Sequence, residues 1–134
     1  MTLFVDTSVW SLVLRRDAPS TRPEVDRLRV AFEDGETVVT TGLILQELLQ
    51  GISGPRMRES LEQRFAVLPF IFPDREDHVR AADFHSSARR KGIQIGTVDA
   101  LLAALCVRHE LTMLSTDADF THLKRVTGLA VWSP

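Results

Sequence analysis

The chain has 134 residues, of which 44% are hydrophobic and 25% charged, a composition and length that predict one water-soluble globular domain covering residues 1–134. The formal net charge of −2, from 16 lysines and arginines against 18 aspartates and glutamates, argues against a protein that coats nucleic acid through bulk charge. The single cysteine, Cys106, excludes an internal disulfide and a cysteine-based zinc site, so we expect a reducing cytoplasm. Because no apolar run suggests a signal peptide or a membrane span, we expect no membrane partner.

Hydrophobic patterning predicts short strands that alternate with helices along the chain. We expect strands at 3–5, 37–40, 112–115 and 129–132, and helices at 9–14, 23–33, 42–50, 55–65, 74–91, 97–109 and 120–125. Residues 15–23 form a predicted surface loop, and the proline-bearing run 67–73 is expected to be an edge strand or an irregular segment. Strands that alternate with helices pair in parallel through right-handed crossovers. The predicted fold class is therefore α/β, a three-layer α/β/α sandwich around a mainly parallel sheet.

Acidic residues follow the predicted strands at the points where each strand ends. Asp6 comes directly after the first strand, and Glu47 lies two turns into the helix after the second. Asp99 is in the first turn of the helix 97–109, and Asp117 and Asp119 follow the strand 112–115. In an open parallel sheet, the ligand site forms outside the carboxyl ends of the strands. We therefore expect these five carboxylates to share one site.

Each of these acids also has a purely structural interpretation. Asp6 and Asp119 are placed where they can cap helices, and Asp99 suits the positive end of a helix dipole. Glu47 is harder to explain in this way, because a helical projection places it about 40° from Leu43, within the arc predicted to face inward. A lone carboxylate there is costly unless something pairs with it.

A cluster of carboxylates needs a cation to hold it together. Two carboxylates about 4 Å apart repel each other by about 4 kcal/mol at an effective dielectric constant near 20. All the predicted ligands are hard oxygens, and this favours Mg²⁺ or Mn²⁺ over zinc or copper. Such an ion keeps open coordination positions with which it can orient a phosphodiester and activate a water molecule.

Four segments carry a resemblance to a known family. VDTSVW at 5–10, LQELLQG at 45–51, DALLAAL at 99–105 and TDADF at 116–120 resemble, in order, the acidic motifs of PIN-domain ribonucleases. The resemblance covers essentially the whole chain. The length and the solitary small domain resemble the VapC-type toxins of bacterial type II toxin–antitoxin pairs in particular.

The resemblance implies a Mg²⁺- or Mn²⁺-dependent endoribonuclease that hydrolyses phosphodiester bonds. It further implies a homodimer that a cognate VapB-type antitoxin inhibits, with the C-terminal segment of the antitoxin lying across the active-site groove. Promoter DNA is then bound only through the antitoxin. Asp6, Glu47 and Asp99 correspond to the core acids, with Asp117 and Asp119 completing the site; of this last pair, Asp117 is the favoured direct ligand.

Hydroxyl and basic residues near these motifs are secondary candidates. Thr7, Ser8 and Thr97 suit helix caps, with contact to a carboxylate or to a water on the metal as the alternative. Arg15 and Arg16 are candidate contacts for RNA phosphates.

Two other functions remain open from the sequence. A receiver-like signalling domain also places acids and Mg²⁺ at strand ends, but it requires an adjacent acidic pair on the first strand and a lysine on a late strand. A non-catalytic binding partner with the same fold is the other alternative, and the intact acids argue against it.

Overall fold

A four-stranded parallel sheet forms the centre of the structure. The structure is a computed structural model that describes residues 1–15 and 19–134. The strands are β1 (Leu3–Val5), β2 (Val38–Val39), β3 (Thr112–Leu114) and β4 (Ala130–Val131). Their order is β2-β1-β3-β4, and every pair is parallel. A single parallel bridge joins Phe70 to Thr40, so the run 67–73 meets the sheet at its β2 edge, as predicted.

Helices form two groups, consistent with one group on each face of the sheet. They are α1 (Thr7–Val13), α2 (Pro23–Glu33), α3 (Gly42–Gln50), α4 (Pro55–Ala66), α5 (Arg75–Arg90), α6 (Thr97–Arg108) and α7 (Ala118–Lys124). α1 contacts α2 and α3, and α3 contacts α4, whereas α5, α6 and α7 contact one another. Right-handed crossovers place α1 and α2 on the face opposite to α5, α6 and α7, because the chain moves in one direction from β1 to β2 and in the other direction from β2 to β3 and β4. The predicted α/β/α fold is confirmed.

The core lies around β1 and α6. Every residue of β1 is fully buried, and so is half of α6, which is apolar on nearly all sides. A helix of this kind must be covered on most sides, and α5 packs against it. Small residues such as Ala103 and Ala104 allow this close packing. The rigid core therefore fixes the starting point of α6, where Asp99 lies.

Among the described residues, no helix is both long and apolar enough to cross a bilayer.

Candidate active site

The carboxyl edge of the sheet brings the predicted acidic segments together. Asp6 directly follows β1 and is the N-cap of α1, and Asp117 is the N-cap of α7, three residues after β3 ends. β1 and β3 are neighbours, with Val5 paired to Leu114. The residues that follow these two partners, Asp6 and Ser115, therefore come side by side. Parallel pairing of the two central strands is what builds this part of the site.

Three carboxylates form the closest cluster. Asp99, Asp117 and Asp119 each offer one oxygen, and these oxygens all lie within 4.8 Å of one another. Asp117 is exposed, whereas Asp99 and Asp119 are half-buried. Asp117 Oδ1 accepts a hydrogen bond of 2.9 Å from the Asp119 backbone N–H, so Asp117 caps α7, and the cap that the sequence suggested for Asp119 is wrong. The helix begins at Ala118, two residues earlier than predicted.

The pKa of Asp99 depends on the charges of the other four acids. Burial, followed by the negative charges of Asp6, Asp117, Asp119 and Glu47, raises the pKa of Asp99 to about 6. Within residues 1–15 and 19–134, no lysine or arginine forms an ion pair with any of the five acids. A half-buried carboxylate surrounded by like charges is destabilised until a cation joins it.

Asp6 is held by protein donors beside this cluster. It is buried, and its Oδ2 accepts hydrogen bonds from the Ser115 hydroxyl at 2.9 Å and from the Ser8 backbone N–H at 3.3 Å. Asp6 therefore caps α1, as its structural interpretation predicted, and also faces the acidic cluster.

Glu47 differs from its predicted orientation. It is exposed on α3, and Thr7 donates a 3.3 Å hydrogen bond to its Oε1. The buried residues of this helix are Ile44 and Leu48. In the same projection Ile44 and Leu48 lie at about 100° and 140° from Leu43, so Glu47, at about 40°, is about 80° from the centre of the buried face. The expectation that Glu47 is a buried charge was wrong, although its charge still reaches Asp99.

A largely apolar groove of about 390 Å³ opens beside Glu47, between α1, α3 and α4. Arg15 lines it together with Glu47, and its apolar walls include Leu14, Leu48 and Met57. Arg15 thus lies near Glu47, as a phosphate contact beside the site requires. Arg16 lies outside the described residues.

Hydroxyl groups connect the acidic segments more extensively than the sequence indicated. Thr7 and Ser8 both bond across the site, whereas Thr97 forms no side-chain hydrogen bond in the described part of the chain, and the N-cap of α6 is Gly96. Ser115, which the sequence analysis did not single out, contacts both Asp6 and Asp117. The register of the sheet could have identified Ser115, because it comes one residue after Leu114, the β3 partner of Val5.

The donor set fits a divalent cation that prefers oxygen. The cluster contains only carboxylate oxygens, lacks an internal cation among the described residues, and centres on a carboxylate whose pKa is raised. These properties suit a hard ion such as Mg²⁺ or Mn²⁺. The cluster can therefore bind a metal.

Comparisons with known proteins agree with this arrangement. The family model of the PIN domain matches residues 3–126. The chain is 31% identical over 129 residues to ribonuclease VapC11 of Mycobacterium tuberculosis and to a VapC ribonuclease of Mycobacterium bovis, with 95% of each chain covered.

Solved structures share the fold at lower identity. VapBC-1 from nontypeable Haemophilus influenzae has a TM-score of 0.75 at 16% identity, covering 99% of this chain and 98% of that one. FitAcB from Neisseria gonorrhoeae has a TM-score of 0.70 at 23% identity, covering 98% and 97%. The family match and the full-length relatives lead to one conclusion: this chain belongs to the PIN-domain family, together with the VapC ribonucleases.

Proposed function

We propose that this chain is the toxin of a type II toxin–antitoxin pair, a Mg²⁺- or Mn²⁺-dependent endoribonuclease that hydrolyses RNA phosphodiester bonds. The observation that carries the proposal is that four other acids converge on Asp99, and their charges help to raise the pKa of Asp99. The VapC ribonucleases that match almost the whole chain support the same activity.

The proposed metal site contains all five acids, of which Asp99, Asp117 and Asp119 lie closest together. The proposed catalytic residues are Asp6, Glu47, Asp99 and Asp117. When bound, the ion supplies Lewis acidity toward the phosphodiester and lowers the pKa of an attacking water. Asp99 holds the centre of the group, since the charges of the other four acids all act on it. Glu47 is exposed and oriented by Thr7, so it faces the solvent side from which RNA arrives.

Arg15 is the proposed contact for an RNA phosphate. Arg15 lines the groove beside Glu47 and carries a positive charge next to an acidic centre. Since the net charge of the chain is −2, local cations of this kind must supply the attraction for RNA. Arg16 is proposed for the same role on the basis of sequence alone.

The proposed partners are a cognate VapB-type antitoxin and a second copy of this chain. Related folds were solved as VapBC complexes, and the complex from Rickettsia felis was bound to a DNA fragment from its promoter. We place the antitoxin segment in the groove beside Glu47, which combines apolar walls with the Arg15 cation. Promoter DNA is reached only through the antitoxin. The proposed location is the cytoplasm, and residues 1–134 are proposed to form one domain.

The test is cleavage of total bacterial RNA by the purified protein with Mg²⁺, with Mn²⁺ and with a chelator. Discrete fragments that require the metal and disappear in Asp99→Asn support the proposal. Asp83→Asn is the matched control, because it removes an exposed carboxylate of α5 in the same way and should leave cleavage unchanged. Equal cleavage by Asp99→Asn and the control would overturn the proposed active site.

Growth tests the toxin role separately. Expression of the chain alone should arrest growth, whereas expression of Asp99→Asn should not. Metal binding without cleavage of any RNA, together with normal growth, would favour the non-catalytic binding partner. The receiver-like alternative is not retained, because the chain belongs to the PIN-domain family.

A further inference from the structure

Two serine hydroxyls connect the ends of β1 and β3 inside the site. The Ser115 hydroxyl lies 2.9 Å from Asp6 Oδ2 and 3.2 Å from the Ser8 hydroxyl. Two backbone N–H groups also point at this pair: Asp117 donates to Ser115 Oγ at 2.9 Å, and Thr116 donates to Ser8 Oγ at 3.1 Å. Apart from the contact between them, the two hydroxyls therefore have three polar neighbours, all on segments that carry proposed active-site acids.

Only one arrangement of hydroxyl protons satisfies these contacts. An ionised Asp6 carboxylate has no proton to donate, so Ser115 must give its single proton to Asp6 Oδ2. The oxygen of Ser115 is then available only as an acceptor, and Ser8 must donate to it. Both serine oxygens also accept one backbone N–H, so each hydroxyl donates once and accepts at least once.

We propose that Ser115 is a positioning residue for the metal site, and that Ser8 acts through it in a directed chain from Ser8 to Ser115 to Asp6. Ser115 fixes the Asp6 carboxylate through one hydrogen bond and the Asp117 backbone through another. One hydroxyl thus sets the distance between the acid after β1 and the acidic turn after β3. The inference rests on the proposed metal-dependent function.

The chain also determines which oxygen of Asp6 is free. Oδ2 already accepts from the Ser115 hydroxyl and from the Ser8 backbone N–H. Oδ1 is consequently the oxygen available to an ion or to the water around it. A hydrogen bond that orients a carboxylate in this way strengthens it as a ligand, and removal of such outer contacts commonly weakens metal binding by about 10- to 100-fold.

The test is the Mn²⁺ affinity of folded variants, measured by electron paramagnetic resonance of the free ion. Ser115→Ala should weaken Mn²⁺ binding by about 10-fold or more, and Ser115→Thr, which keeps the hydroxyl, should restore most of the affinity. Ser8→Ala should weaken binding less. Adding Ser8→Ala to Ser115→Ala should cause little further loss of affinity, because the proposed route from the Ser8 hydroxyl to Asp6 runs through Ser115.

Thr127→Val is the matched control. The Thr127 hydroxyl also donates to an oxygen, that of Leu123 at 2.7 Å, and accepts a backbone N–H, that of Leu129 at 3.1 Å, but it lies after α7 and touches none of the acids. Thr127→Val should lower the melting temperature and leave Mn²⁺ affinity unchanged. If Ser115 had only a structural role, Ser115→Ala would also lower the melting temperature without changing Mn²⁺ affinity, and that result would overturn the inference.

Three outcomes separate this inference from the proposed function. If the unaltered chain binds Mn²⁺, Asp99→Asn does not and Ser115→Ala binds normally, the inference alone is overturned. If the unaltered chain binds no Mn²⁺, the proposed metal site and the inference both fail. If Ser115→Ala does not fold, Ser8→Ala decides by the same measurement, and an unchanged affinity overturns the inference.

Discussion

Arg108 at the end of α6 binds Asp77 at the start of α5 through two hydrogen bonds, Nε to Oδ1 at 2.8 Å and Nη2 to Oδ2 at 2.7 Å. The Asp77 side chain is only 1% exposed, and Asp77 Oδ2 also accepts from the Asp74 backbone N–H in the capping box of α5. Arg108 further donates to the Phe72 carbonyl at 3.0 Å. This pair ties α6, the helix that carries Asp99, to α5 and to the segment before it.

The first prediction concerns the stability that this ion pair provides. Arg108→Ala should lower the free energy of unfolding by clearly more than the loss of an exposed ion pair does, because the buried Asp77 carboxylate is left without its cation. Urea denaturation at pH 7 measures this. Arg58→Ala is the control, since Arg58 forms only an exposed ion pair with Glu62 and should cost less than about 1 kcal/mol. Equal losses in the two variants would contradict the prediction.

The second prediction is the pH dependence of the same pair. Burial alone raises the pKa of Asp77, but hydrogen bonds and charge from Arg108, together with hydrogen bonds from Asp74, outweigh it and hold the pKa below the usual range. Because the pKa is lower in the folded state, the stabilisation is present above the unfolded pKa, near 4, and is lost as the pH falls through the folded value.

Asp77→Asn tests this pH dependence. The difference in free energy of unfolding between the unaltered chain and this variant should be largest near pH 6 and shrink toward pH 3. A difference that stays constant over this range would show that ionisation of Asp77 contributes nothing.

The sequence predicted the α/β fold and the meeting of the acidic segments because both follow from strand ends in a parallel sheet. It did not reveal the pair between Asp77 and Arg108, since periodicity along α5 does not indicate which polar residue is buried. The role of Ser115 depends on the register of β1 against β3, and the orientation of Glu47 depends on how α3 packs. Tertiary contacts decide all three of these features.

The third prediction is that Asp99→Asn stabilises the metal-free protein. Ionisation of Asp99 is unfavourable in the folded chain, where its pKa is about 6, relative to the unfolded chain, so stability falls as the pH rises from about 4 through 6. With a chelator at pH 7.5, the variant should melt roughly 5 °C higher, the shift expected for about 1 kcal/mol in a domain of this size. Calorimetry at pH 4.5 should show a smaller difference, and a lower melting temperature at pH 7.5 would contradict the prediction.

The fourth prediction separates Glu47 from the clustered acids. Glu47 is exposed and lies outside the group formed by Asp99, Asp117 and Asp119. A charge in water contributes about 1 kcal/mol or less at contact distance, so Glu47→Gln should weaken Mn²⁺ binding by no more than about fivefold. Asp99→Asn should weaken it far more. Glu59→Gln, an exposed glutamate of α4, is the control and should have no effect; equal losses for Glu47→Gln and Asp99→Asn would place Glu47 among the direct ligands.

The fifth prediction distinguishes the two tasks of Asp117. Its Oδ1 caps α7 by accepting the Asp119 N–H, and its charge belongs to the acidic cluster. Asp117→Asn retains an acceptor for the cap but removes the charge, so it should weaken Mn²⁺ binding and leave stability nearly unchanged. Asp117→Ala removes both, and the lost cap should cost about 1 kcal/mol more. Urea denaturation and Mn²⁺ titration of both variants test this prediction. An equal loss of stability in Asp117→Asn and Asp117→Ala would mean that the charge of Asp117, rather than its hydrogen bond, stabilises the start of α7.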